Sequence, residues 1–339
     1  MRAEYRHGSG CQSATGHSDG PMQLRTYAAR VASVPLTSRV QAWRDEGSAE
    51  DFNGHRIHVR SSEGEGPVLL LLHGFPSSSY DFRTLIPHLG ARPTLAFDFL
   101  GFGLSAKPRR LGYSLFMQAD LAEEMVERRF PGRDVFIVAH DMGTSVATEL
   151  LARDIDGTGK LRLRGALLFN GSIVLDRASL TRGQRILRSR MGGVAARLSS
   201  ERFFRREFGA LFSSSHPLSD EEAADQWSLI CHDGGQRLGH ELIAYLDERV
   251  AHADRWHGAI RDWPGDLSLT WGLLDPVATT AVLAALRDIR PGIPVTELEE
   301  LGHYPQLEDP ALVAEAVNAA VAGGLSHSRL SISGFSGVY

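Results

Sequence analysis

Cysteine is nearly absent: only Cys11 and Cys231 occur in 339 residues. Two such distant thiols exclude a disulfide framework and a cysteine-based zinc cluster, and they fit a reducing compartment, so a cytoplasmic location is expected. Lysine is as scarce, since of 36 basic residues only Lys107 and Lys160 are lysines, an arginine bias that carries no mechanism by itself. No apolar run approaches the roughly 18 residues of a membrane span, and the N-terminal stretch lacks the apolar centre of a secretory signal. A net charge of −5 and a pI near 6.3 give no ground for nucleic acid or an acidic membrane surface as partner. What remains is an ordinary globular composition, 42% hydrophobic, enough for one large domain or two smaller ones.

Residues 1–33 are rich in Gly, Ser, His and Arg without a sustained period, and a disordered extension is expected there, with Met22 a candidate start. The tail 323–339 is expected to be flexible in the same way. Between them, apolar runs alternate with helical patterns, the signature of a mostly parallel sheet covered by helices on both faces. The runs lie at 67–74, 94–101, 134–141, 164–172, 267–275 and 294–301, and stretches such as VLLLL and VFIV are continuously apolar, as doubly covered strands require. The segment 52–61 alternates instead and suits an edge hairpin strand. Between the runs at 164–172 and 267–275 lie roughly 90 residues, too many for one crossover helix. Residues 175–260 are therefore read as an inserted helical cap over the C-terminal sheet edge, where open α/β folds bind ligands. The core is assigned to 34–174 and 261–322. No internal repeat is present.

Chemistry enters at VFIVAHDMGTSVATELLAR, where a strand gives way at once to a helix. Such a turn strains its central residue and needs small neighbours, here Ala139 and Gly143, to let backbones approach. The central residue is Asp141, where the commonest occupant of such a turn is serine. A plainer alternative is that Asp141 only caps the helix that follows. Two later features weigh against that. WGLLDP puts Asp275 in the loop after one strand, and ELGHYPQLEDP puts His303 after the next. The order nucleophile, acid, histidine is that of α/β-hydrolases, with 134 residues from Asp141 to Asp275 and 28 more to His303. The strand VLLLL runs into His73, Gly74, Phe75 and Pro76, so the backbone N–H groups of Phe75 and Met142 are candidates for an oxyanion hole.

With HGFPSSSYDF (73–82), DFLGFGLSAKP (98–108), AHDMG (139–143), GLLDP (272–276) and GHYPQLEDP (302–310) in view, residues 35–322 resemble the α/β-hydrolase superfamily. The likeness is to its epoxide-hydrolase and haloalkane-dehalogenase branch, and above all to the mesoderm-specific transcript subgroup. Trp227, Tyr245 and Trp256 extend the resemblance into the cap. It implies an α/β-hydrolase fold and an Asp nucleophile, while the fold alone leaves the substrate open.

A carboxylate of ordinary pKa, about 3.9, is ionised at neutral pH and needs no base to attack. Attack on an ester carbonyl would give a reactive mixed anhydride, so the better target is an sp3 carbon with a leaving group. The product is an alkyl ester on Asp141, cleaved by water that His303 activates while Asp275 fixes the imidazole. The expected substrate is accordingly a small, mostly apolar molecule bearing an epoxide or a comparable leaving group. By the resemblance, a dehalogenase would offer side-chain donors to a halide at positions held here by Met142 and Phe75, which cannot donate. Epoxide opening needs an acid, for which this branch uses cap tyrosines, usually a pair. Tyr245 is the cap's one tyrosine and the candidate acid, with simple packing beside Leu242 and Leu246 as the alternative. His216, His232 and His240 are candidate substitutes, or surface histidines. Epoxide hydrolysis leads, haloalkane dehalogenation is the alternative, and a non-catalytic ligand-binding protein of the same fold is the third reading.

GTGK at 157–160 lacks the upstream glycine of a phosphate loop, DIDG lacks spaced calcium ligands, and LGFGLS lacks the third glycine of a dinucleotide fingerprint. The arginines between Arg182 and Arg206 are read as a solvated helix face. No cofactor and no metal are expected, and oligomeric state is left open.

Overall fold

The computed structural model describes residues 34–323 and the backbone of Ser328–Leu330. The expectations for residues 1–33 and for most of the tail lie outside the described residues. Nine strands form one sheet: β1 (Ser48–Phe52), β2 (His55–Ser62), β3 (Val68–Leu72), β4 (Thr94–Phe97), β5 (Asp134–His140), β6 (Arg162–Phe169), β7 (Asp266–Gly272), β8 (Val295–Leu298) and β9 (Ser328–Leu330). Their order is β1-β2-β4-β3-β5-β6-β7-β8-β9. β1, β2 and β4 pair antiparallel, and every pairing from β4–β3 to β8–β9 is parallel. The alternating segment is thus the second arm of an edge hairpin. Within the stretch read as a flexible tail, Ser328–Leu330 pair with β8.

Every residue of β3 is buried, and its alternation divides the core. Leu70 and Leu72 join one apolar cluster with Ile137, Val146 and Trp256, while Leu69 and Leu71 join another with Val138, Val313 and Val317. A strand covered on both faces has no polar side, which is why VLLLL reads as an unbroken run. The covering helices start where side chains replace missing helical acceptors. Ser114 accepts from the Met117 N–H at the head of Leu115–Arg129, and Asp309 accepts from Leu312 before Pro310–Val321, whose proline sits where no N–H is needed.

The insertion between β6 and β7 holds the helices Arg182–Arg188, Gly192–Arg197, Glu201–Gly209, Asp220–Cys231, Gly239–Leu242, Tyr245–Ala251 and Ala253–Asp262. Its last helix turns back to the core, with Trp256 fully buried and its indole N–H on Glu149 Oε2 at 3.0 Å. Glu149 also takes Arg153 and Arg255, so one buried carboxylate ties that segment to the helix Met142–Ile155.

That helix lies close under β3. A Cβ on Gly143 would stand 2.3 Å from the Leu72 carbonyl oxygen, contact with backbone that cannot swing away. Gly143→Ala is therefore expected to cost about 1–3 kcal/mol, seen as a lowered denaturant midpoint with unchanged m-value. Gly258→Ala, whose nearest neighbour is an arginine tip at 3.7 Å, is the control and should be nearly neutral.

Candidate active site

β5 ends at His140 and the helix begins at Met142, leaving Asp141 alone on the bend at φ 44°, ψ −110°. Positive φ is costly for a residue with a Cβ and persists only where surroundings impose it. Here they do. Gly143 admits the β3 backbone, and a Cβ on Gly74 would stand 2.8 Å from that of Asp141. The Asp141 carbonyl accepts from Thr144 N at 3.1 Å, from Thr144 Oγ1 at 2.5 Å and from Arg249 Nη2 at 3.0 Å. The Asp141 side chain makes no capping bond to its helix, which removes the capping alternative.

The carboxylate is buried. Its Oδ2 accepts the Phe75 N–H at 2.9 Å, while among the described residues Oδ1 has no hydrogen-bond partner. Met142 opens the helix, so its N–H belongs to a first turn without helical acceptors, directly after the carboxylate. The nearest guanidinium belongs to Arg249, with Nη2 3.9 Å from Oδ1. Arg249 is itself fully enclosed, donating from Nε to Ser145 Oγ at 2.8 Å and from Nη1 to Ser172 Oγ at 2.6 Å. The sequence gives no means of separating this arginine from its many neighbours of the same type.

His303 and Asp275 meet as expected, Nδ1 to Oδ2 at 2.7 Å. Asp275 Oδ1 accepts the N–H groups of Val277 and Ala278 at 2.6 and 3.0 Å. A residue not singled out in the sequence, Asn170, donates to Asp275 Oδ2 at 2.7 Å and accepts from Gly272 N at 3.0 Å. It adopts φ 48° at the end of β6, a conformation asparagine tolerates better than most residues. Its Asn-Gly sequence was the available signal. His140 is a second omission: its Nε2 lies 2.7 Å from the His303 carbonyl oxygen and its Nδ1 3.2 Å from Gln306 Nε2. The amide can only donate, so Nδ1 accepts and Nε2–H donates. Burial and the neighbouring His303 push His140 down to about 3, fixing it as a neutral strut. For His303, burial opposes the charge, but the Asp275 partner and the nearby Asp141 carboxylate outweigh it and hold the imidazole above its usual 6.5.

Tyr245 is buried, its ring 5.7 Å from that of Phe75 and beneath the Arg249 guanidinium at 4.7 Å. Among the described residues its hydroxyl has no hydrogen-bond partner. It packs in the main apolar cluster with Leu242 and Leu246, as its packing reading expects. Burial first, and then the Asp141 charge, push the phenol well above 10. A cavity of about 340 Å³ lies between the loops that carry Phe75 and His303 and the insertion that follows β6, walled by Phe75, Leu187, Phe204, Trp227, Leu242 and His303 among others. Asp141 is not in its wall, but its hydrogen-bond partner Phe75 and its neighbour His303 are. None of His216, His232 and His240 lines it. Lys107 does, and burial brings its amine down to about 8. Among the described residues no group of three or more His, Cys, Asp or Glu side chains is placed to hold a metal ion.

A profile of the alpha/beta hydrolase family matches residues 69–316. The chain belongs to that family. This α/β hydrolase is 56% identical over 277 residues to LipZ of Mycobacterium tuberculosis, named as a hydrolase, covering 82% of this chain and 96% of LipZ. It is 32% identical over 288 residues to the mesoderm-specific transcript protein of Mus musculus, covering 81% and 85%. Haloalkane dehalogenase DbeA from Bradyrhizobium elkani superposes with a TM-score of 0.69 at 23% identity, over 82% of this chain and 97% of that one. At that identity the likeness is one of fold. Among the described residues no helix is long and apolar enough to cross a membrane.

Replacing Arg249 by Met should take the guanidinium from two serine hydroxyls, leave the Asp141 carbonyl with Thr144 alone, and remove the nearest cation from a buried carboxylate. The expected loss is about 3–5 kcal/mol, measured by equilibrium denaturation.

Proposed function

We propose that this hydrolase attacks an sp3 carbon with Asp141, holds the product as an alkyl ester and releases it with water activated by His303, its substrate class being small apolar epoxides opened to diols. One observation carries the proposal: among the described residues two buried polar atoms of complementary role, the acceptor Asp141 Oδ1 and the donor hydroxyl of Tyr245, have no hydrogen-bond partner. Such atoms cost free energy unless a ligand uses them. An epoxide uses both, its carbon taking the Oδ1 lone pair while its oxygen takes the phenolic proton. The C–O bond that breaks leaves the new hydroxyl tethered to the ester.

In the second step His303 removes a proton from water, the oxygen adds to the Asp141 carboxyl carbon, and charge develops on Oδ2. Phe75 N–H already contacts that oxygen, and Met142 N–H is the expected second donor. Collapse expels the diol, which keeps Oδ1 and takes its proton from the His303 imidazolium, while the proton released by the new Asp141 carboxyl group restores the Tyr245 phenol, so one turnover in ¹⁸O-water should label Asp141 and not the product. Label in the product alone would exclude the ester.

The buried charge also times the proton transfers. While Asp141 is ionised it raises the pKa values of both His303 and Tyr245. Alkylation removes that charge. Tyr245 then becomes the stronger acid as the alkoxide forms, and His303 loses its proton more readily as a base is needed. Ester hydrolysis requires neutral His303, so its rate should rise with pH and level off, with a midpoint below that of His303 in the resting enzyme. Single-turnover kinetics between about pH 5 and 9 would test this, because ester formation should lack that acid limb.

His303→Gln should accumulate the ester, visible as added mass on intact protein, whereas Asp141→Asn should gain none. Tyr245→Phe should slow ester formation by roughly 10²–10⁴ while leaving ester hydrolysis largely intact. The dehalogenase reading has one observation in its favour, an indole, Trp227, in the cavity wall. Halide release from simple alkyl chlorides would favour it over diol formation. Ligand binding with no turnover and no adduct would favour a receptor.

A further inference from the structure

A net charge of −5 averages over the surface and hides a face of the opposite sign. Arg109, Arg110, Arg197 and Arg237 converge on a surface cavity of about 540 Å³ shared with His240 and Glu241. Among the described residues none of these four guanidinium groups makes a hydrogen bond or ion pair, although arginines elsewhere commonly end on carboxylates. The one carboxylate in the cavity wall, Glu241, accepts instead from the Arg110 backbone N–H at 2.9 Å, and His240 Nδ1 is buried without a partner. Four like charges gathered around a single carboxylate leave an excess of positive charge, and an anion relieves the repulsion among them.

The segment that carries Arg197 also exposes apolar side chains. Of nine large apolar side chains exposed among the described residues, five lie between 186 and 203: Ile186, Met191, Val194, Leu198 and Phe203, with Leu198 77% exposed. Scattered exposed apolar residues need no explanation, but a cluster does. Arg197 stands between Val194 and Leu198 on and after the short helix Gly192–Arg197, which packs on His240. Ile186, Leu198 and Phe203 also line the 340 Å³ cavity, so the mouth of that cavity opens on the same face. Cations interleaved with protruding apolar groups match a bilayer surface of anionic lipid, which offers phosphates at one depth and acyl chains just below. A soluble phosphate would account for the arginines and leave the apolar cluster idle.

We infer that this cap face docks on an anionic phospholipid surface, its arginine cavity receiving lipid phosphates and its apolar side chains entering the interface, so that apolar substrates pass from the bilayer into the enzyme cavity. The inference does not depend on which chemistry Asp141 performs. Purified full-length protein should co-float with phosphatidylcholine vesicles containing about 30 mol% phosphatidylglycerol, remain free with phosphatidylcholine alone, and be released as salt rises toward about 1 M. Each of Arg109→Gln and Arg197→Gln should weaken partitioning about fivefold. Met191→Ser/Val194→Ser should weaken it without changing the salt dependence. Near-ultraviolet circular dichroism checks that each variant is folded, and Asp141→Asn should partition like wild type, which keeps this test separate from the catalytic one. Wild type that stays free of the anionic vesicles, arginine variants that partition unchanged, or calorimetric binding of inorganic phosphate without vesicle binding would each overturn the inference.

Discussion

Asp141 sits at a backbone angle that a residue with a Cβ resists, inside a protein interior that a carboxylate resists, and the surrounding structure is arranged to meet both costs. Gly74 and Gly143 let two backbones close on the bend. Thr144 and Arg249 hold its carbonyl, and the Phe75 N–H holds one carboxylate oxygen. Among the described residues none of these groups makes a hydrogen bond to the other oxygen, which has the Arg249 guanidinium at 3.9 Å as an ion-pair neighbour. A charged atom kept in place with one face unengaged suits the nucleophilic role proposed for Asp141.

The same charge reaches the two groups proposed to move protons. Its electrostatic influence on His303 and Tyr245 means that forming a bond to Asp141 alters acid and base together, with no separate conformational signal. Asp275 keeps the imidazole oriented throughout, and Asn170 keeps Asp275 oriented in turn while binding the end of β7.

The sheet and the bend were legible in the sequence because burial on both faces leaves unbroken apolar runs and because a tight turn demands small residues at fixed offsets. Asp141, Asp275 and His303 stood out by chain order and by position after strands. Asn170 did not, although Asn-Gly after a strand is a sign of positive φ. His140 and Arg249 were unreadable for another reason. Their roles depend on partners more than a hundred positions away in the chain, Gln306 for one and Ser145 for the other. Net charge misled in a similar way, since a sum over the chain cannot report that four arginines share one hollow with a single carboxylate.

The His303 backbone N–H donates to the carbonyl of Leu211 at 2.9 Å, and a Cβ on Gly302 would come within 2.6 Å of that same oxygen. Leu211 follows the helix Glu201–Gly209 and lines the roof of the cavity. Roof and imidazole loop are thus joined directly, so the segment that closes the cavity also helps set where the His303 backbone stands.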